Sequence, residues 1–182
     1  RYVAFLSYSH RNKAETEWLH KALESYHIPR KLVGRETARG KVPARLIPIF
    51  RDRDELSASA DLGSELRSAL ERSDNLIVVA SPASARSPYV QEEIRHFKSL
   101  HGEQRVFALI VDGEPHAAAL PGREAEEAFP AALRFKLDAE GQVSDIPAEP
   151  IAADIRPGKD GKRLARMKLV AGLTDLRLDD LV

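Results

Sequence analysis

The chain has 182 residues, enough for one ordinary α/β domain and short for two. Hydrophobic residues make up 43% and charged residues 31%, which argues against a disordered chain; 28 Lys+Arg against 28 Asp+Glu argue against a globally basic nucleic-acid binder or an acidic tail. The absence of cysteine excludes disulfide scaffolds, thiolate zinc sites, iron–sulfur clusters and cysteine nucleophiles together.

Five apolar runs alternate with helical patterns. Residues 2–6 form the first run. Trp18, Leu19, Ala22, Leu23 and Tyr26 then make an apolar stripe at helical spacing. Residues 30–45 are a basic connection with six Lys/Arg against the single acid Glu36, long for an αβ loop. The second run, residues 46–50, contains Pro48, which cannot donate to a ladder and so predicts an edge strand. Leu62, Leu66, Ala69 and Leu70 mark the next helix, and residues 76–80 the third run. Ser87-Pro88, a cap residue followed by a proline suited to the first helical position, opens a helix carrying Val90, Ile94 and Phe97. The fourth run is Val106-Phe107-Ala108-Leu109-Ile110-Val111, too short to span a membrane. Residues 114–144 are broken by Pro115, Pro121, Gly122 and Pro130, so helix is expected there only in pieces. A weak fifth run, residues 150–154, precedes a last helix with Leu164, Met167, Val170, Leu173 and Leu176.

Runs one, three and four are continuous rather than alternating, as in strands covered on both faces. Alternating strand and helix predicts an α/β fold: a doubly wound, five-stranded parallel sheet. With the second strand at an edge, the order is the flavodoxin-like 2-1-3-4-5. Ligands in such sheets bind outside the carboxyl ends of the strands, near the switch between strands one and three. Three segments converge there: Ser7-Tyr8-Ser9-His10-Arg11-Asn12, the segment from Arg51 to Leu56, and Ser81 to Pro88 with the helix bearing Tyr89 and Glu93.

Those residues carry a resemblance. Phe5-Leu6-Ser7-Tyr8-Ser9 resembles box one of TIR (Toll/interleukin-1 receptor) domains. Phe50-Arg51-Asp52-Arg53-Asp54-Glu55-Leu56, followed by Gly63, resembles their box two and the start of the BB loop. Ser81-Pro82 with Ser87-Pro88-Tyr89-Val90-Gln91-Glu92-Glu93-Ile94 resembles the family's Ser-x-Trp-Val-x-x-Glu-Ile segment, with Tyr in place of Trp. The three stand in order over a chain of about one TIR fold, in the style of bacterial TIR domains of defence and signalling proteins. The resemblance implies an NAD+ nucleosidase of the cytoplasm that cleaves the nicotinamide–ribose bond, by hydrolysis to ADP-ribose or by cyclisation. It implies NAD+ as substrate with no metal or other cofactor, and Glu93 as the catalytic carboxylate. Ser7, Tyr8, Ser9, Arg11, Phe50, Asp52, Leu56, Ser81 and Tyr89 are the implied substrate contacts. Activity is implied to need assembly with other TIR domains through the BB loop, residues 54–63. The alternative is a non-catalytic scaffold acting through the same TIR–TIR contacts.

The residues support Glu93 independently. With Val90 at zero on a wheel of about 100° per residue, Ile94 and Phe97 mark the core face and Glu92 points away from it. Glu93 lies at the flank of that face and is expected to look into the rim cleft, where the helix start would favour its charge. A carboxylate there can stabilise oxocarbenium character on a ribose.

Other readings are weaker. Asp52 and Asp54 without a third ligand make a poor Mg²⁺ site, and pairing with Arg51, Arg53 or Arg86 accounts for them better. His10 is a lone loop histidine. Residues 30–45 lack the aromatic interleaving of a nucleic-acid surface; being long, they are expected to cover or extend the site. No Gly-x-x-x-x-Gly-Lys or Gly-x-Gly-x-x-Gly loop is present, so a phosphate cradle of either kind is missing. The chain opens at Arg1, and it is expected to be a single domain, residues 1–182, excised from a longer protein.

Overall fold

The computed structural model describes residues 1–52 and 62–182. Five parallel strands form the central sheet: β1 (Ala4–Ser7), β2 (Ile49–Arg51), β3 (Leu76–Ala80), β4 (Val106–Ile110) and β5 (Ile151–Asp154). Their order is β2-β1-β3-β4-β5, as the sequence predicts. The register pairs Phe5 with Phe50 on one side and Leu76 on the other, Leu76 with Val106, and Phe107 with Ile151.

The helices are α1 (Lys13–Glu24), α2 (Ser64–Glu71), α3 (Pro82–Ala85), α4 (Pro88–His101), α5 (Ala131–Arg134), α6 (Gly161–Thr174) and α7 (Leu178–Leu181). The two-residue period of the strands divides the core. Ala4, Leu6, Ile77, Val79, Phe107 and Leu109 face one layer, with Leu19, Leu23, Leu169 and Val170. Phe5, Leu76, Val78, Ala80, Val106 and Ala108 face the other, with Leu66, Leu70, Ile94 and Phe97. Burial on both faces explains the continuous apolar runs.

Four departures from the sequence reading have physical reasons. Strand β2 begins at Ile49, not Leu46: Pro48 supplies no N–H, and its carbonyl accepts from the Val3 amide instead (2.9 Å). Residues 30–45 do not cover the rim. They bury Leu32 and Val42 in the core, and form a hairpin of Glu36–Thr37 with Gly40–Lys41 that Thr37 ties to the Thr174 carbonyl (2.8 Å) at the end of α6. That is the amino-terminal end of the sheet. Residues 114–144 hold short helical turns as expected, followed by an unforeseen hairpin, Phe135–Leu137 with Val143–Pro147. Its turn is built by Asp138, whose Oδ1 accepts from the amides of Glu140 and Gln142, both at 2.9 Å. The last predicted helix, α6, ends at Thr174 and leaves out Leu176, because Asp175 turns left-handed (φ 57°).

Helix α6 lies close on the sheet at Gly172, where an added Cβ would stand 2.5 Å from the Phe107 ring. Gly172→Ala is therefore expected to lower unfolding stability by about 1–3 kcal/mol despite the better helix propensity of alanine. Urea denaturation checks this, and a variant at least as stable as the parent would remove the close-approach argument.

Candidate functional site

Strand β1 delivers Ser7 to the carboxyl end of the sheet, pointing toward the α2/α4 layer. Helix α4 delivers Glu93 to the same place. Its start is fixed locally: the Ser87 hydroxyl accepts from the Val90 amide (3.2 Å), and Pro88 takes a first-turn position where its missing N–H costs nothing. Val90, Ile94 and Phe97 then lock the helix face into the core, which carries Glu93 inward.

Glu93 is only 3% exposed, and the Ser7 hydroxyl, fully buried, donates to its Oε1 at 2.7 Å. Burial pushes its pKa up to about 8; the charge of Asp52 adds to the rise, and the Ser7 hydrogen bond opposes it. The resting carboxyl is thus mostly protonated at neutral pH. The expected help from the helix start does not reach it. Glu93 is the sixth residue of α4, beyond the first turn where the dipole acts. Glu92 turns outward as the wheel predicts, but pairs with Arg95, whose guanidinium also donates to the Gly141 carbonyl (3.2 and 3.0 Å) of the second hairpin.

The remaining predicted residues surround this pair to different degrees. Tyr8 is half-buried and its hydroxyl donates to the Asp52 carbonyl, joining the ends of β1 and β2; burial raises its pKa. Ser9 caps the turn His10–Asn12, accepting from the Arg11 amide (3.3 Å), which leaves the Arg11 side chain exposed at the rim. Tyr89 sits half-buried in the first turn of α4, against the apolar layer that contains Ile94. Phe50 stacks on Phe5 (centroids 5.0 Å apart) and meets the Tyr2 ring edge-on, so its ring belongs largely to the core. Ser81 is buried: its hydroxyl donates to Asn12 Oδ1 (2.6 Å) and accepts from the Ser84 amide (3.1 Å), tying the loop after β1 to α3. Leu56, and most of the BB-loop stretch 54–63, lie outside the described residues.

Two rim residues take places that the sequence alone does not assign them. Asn12 is buried and accepts the Ser81 hydroxyl, a partnership across 69 positions that no local pattern announces. Among the described residues, the Nε and Nη1 of Arg51 are enclosed without a hydrogen-bond partner, beside Tyr8, whose phenol its charge acidifies. An enclosed guanidinium with vacant donors is suited to an anion.

The sequence profile of the TIR domain matches residues 4–140, most of the chain. The chain belongs to the TIR domain family. This TIR domain is 30% identical over 191 residues to the NAD(+) hydrolase ApTIR of Actinoplanes sp., across 100% of the present chain. It spans only 24% of that relative's length. Among solved structures it is similar to the TIR domains of the activated Roq1 resistosome directly recognizing the pathogen effector XopQ. That similarity has a TM-score of 0.44 and 24% identity, over 65% of this chain and 62% of that one. Among the described residues of this TIR domain, no helix is long and apolar enough to cross a membrane, and no three His, Asp or Glu side chains converge as a metal site.

Proposed function

We propose that this TIR domain cleaves the nicotinamide–ribose bond of NAD+, with Glu93 as the reacting carboxylate. The observation that carries the reading is the carboxyl of Glu93, held by Ser7 in a nearly water-free position at the switch point of the sheet. The similarity to an NAD(+) hydrolase along the whole chain supports the same substrate.

A pyridinium cation brought to this carboxyl favours its ionised form, so substrate itself drives Glu93 toward the charged state. As the bond from ribose C1′ to the ring nitrogen breaks, the electron pair leaves with neutral nicotinamide and positive charge grows on the ribose. The Glu93 carboxylate stabilises that charge. Water then adds to C1′ and gives up a proton, leaving ADP-ribose; a nucleophilic nitrogen of the same molecule in place of water gives the cyclic product. Tyr89 offers a ring face for a base or the nicotinamide. Ser9 and Arg11 at the mouth, with Arg51 behind Tyr8, are placed for ribose hydroxyls and phosphates, while Tyr8, Asp52, Phe50 and Ser81 hold the wall. Leu56 and the rest of the BB-loop stretch are proposed to complete the site against a second TIR domain. The chain is read as one domain of a longer protein, in keeping with its 24% span of the relative.

The test is loss of NAD+ over hours, followed by product chromatography at high protein concentration, for the parent and Glu93→Ala. Loss by the parent, reduced at least about 100-fold in the variant, is the expected result. Equal loss in both would overturn the role of Glu93. No loss in either, with self-association intact, would favour a scaffold that acts through TIR–TIR contacts alone.

A further inference from the structure

A cavity lies at the opposite end of the sheet from Glu93. It has a volume of about 970 Å³, opens to solvent, and is bounded by the start of β4, the end of α4 and both hairpins. Three separate connections each bring a cation to it. Arg39 comes from the tip of the first hairpin, Arg105 from the residue before β4, and Lys136 from the second hairpin.

Among the described residues, the arginines donate to neutral acceptors. Arg39 donates through Nη2 to the Gln104 carbonyl (2.9 Å) and through Nη1 to Asn75 Oδ1 (3.4 Å), with its guanidinium over the Phe107 ring. Arg105 donates to the Asp74 carbonyl at 3.5 Å. Three acids also line the cavity. Glu103 is taken up by buried Lys98 (2.7 Å), Glu149 is exposed, and Asp175 accepts from the Ala38 amide (3.3 Å) while its charge reaches Arg39 from beyond ion-pair distance. Among the described residues, no carboxylate ion-pairs with Arg39, Arg105 or Lys136. Two like charges therefore share a partly desolvated space, and Arg39 is held below the usual arginine pKa by burial and then by the charge of Arg105, which the charge of Asp175 opposes without cancelling.

We propose that this cavity is a binding site for a small phosphorylated molecule, with the phosphate seated between Arg39 and Arg105 and covered by Lys136. A phosphate answers each feature in turn. Its oxygens accept from two guanidinium forks, its charge relieves their repulsion, and a flexible lysine suits the remaining oxygen. Val106, Leu133, Pro147 and Ala148 form an apolar wall beside the cations that accepts the organic part of an ester. The volume is in the range of small-molecule sites. Nothing in this assignment depends on NAD+ cleavage, since the cavity and Glu93 lie at opposite ends of the parallel strands.

The experiment is NMR titration of the whole chain with inorganic phosphate and, separately, with adenosine monophosphate, observing the arginine Nε–Hε signals. Saturable shifts of Arg39 and Arg105 are expected with either probe. Tighter binding of the nucleotide would assign the site to phosphate esters, and equal binding to free phosphate. Arg105→Gln and Lys136→Ala, which leave the Arg39 contacts in place, should each weaken binding at least tenfold. Shifts that do not saturate, that persist in both folded variants, or that fall on Arg11 and Arg51 instead would overturn the assignment.

Discussion

Replacing Glu93 by Gln is expected to stabilise the domain in a pH-dependent way. The native carboxyl holds its proton up to about pH 8, whereas an unfolded glutamate releases it near 4.5. Between those values the native state binds one more proton than the unfolded state, so the parent loses stability as pH rises. The slope is about 1.4 kcal/mol per pH unit, or roughly 4 kcal/mol from pH 5 to 8, with no further loss above. Gln cannot ionise and escapes this loss, although its extra buried N–H₂ donor costs about 1–3 kcal/mol at every pH unless Ser7 accepts from it. The gap between variant and parent should therefore widen from pH 5 to 8 and then stay constant. Urea denaturation across that range checks it, and parallel stability curves would refute the buried, proton-holding Glu93.

The second large effect lies in the pH dependence of the proposed cleavage. If the ionised carboxylate reacts, kcat/KM, which reports the free enzyme, should climb about tenfold per pH unit below about 8 and level above it. The profile of kcat should turn at lower pH, because bound pyridinium favours the carboxylate. Ser7→Ala removes the hydrogen bond that favours the ionised form. The turning point in kcat/KM should move upward by about one unit, with a roughly tenfold loss at pH 7 that is largely recovered at pH 9. A loss equal at every pH would make Ser7 a packing residue instead of one that positions and tunes Glu93.

The sheet was legible because a parallel strand buried on both faces writes itself as an unbroken apolar run, as residues 76–80 and 106–111 do. Pro48 announced the edge position of β2 because a missing N–H is a local fact. The second hairpin was not legible: its strands are short and half-exposed, so neither period stands out, and the turn residues Asp138 and Gly141 read as part of a broken connection. At the candidate site, the helical wheel placed Glu93 at the flank of a buried face, and the structure does the same. What the wheel could not contain is the depth of burial, which depends on the strand end opposite and reverses the expected electrostatics. The Arg39 and Arg105 cavity is the extreme case. Its two arginines stand 66 positions apart, and the first lies in a connection whose charge reads as an exposed loop.

The six residues leaving β1 are tied outward in three directions. Ser7 bonds to α4, Tyr8 to the end of β2, and Asn12 to the residue that caps α3. Each tie joins a different stretch of the chain to the same short segment. For anyone recombining this domain with a homologue, residues 7–12 are therefore a poor place for a junction. A graft that brings in the segment without Glu93 and Ser81 would break two side-chain matches in one step, and one that displaces the Asp52 carbonyl would break the third.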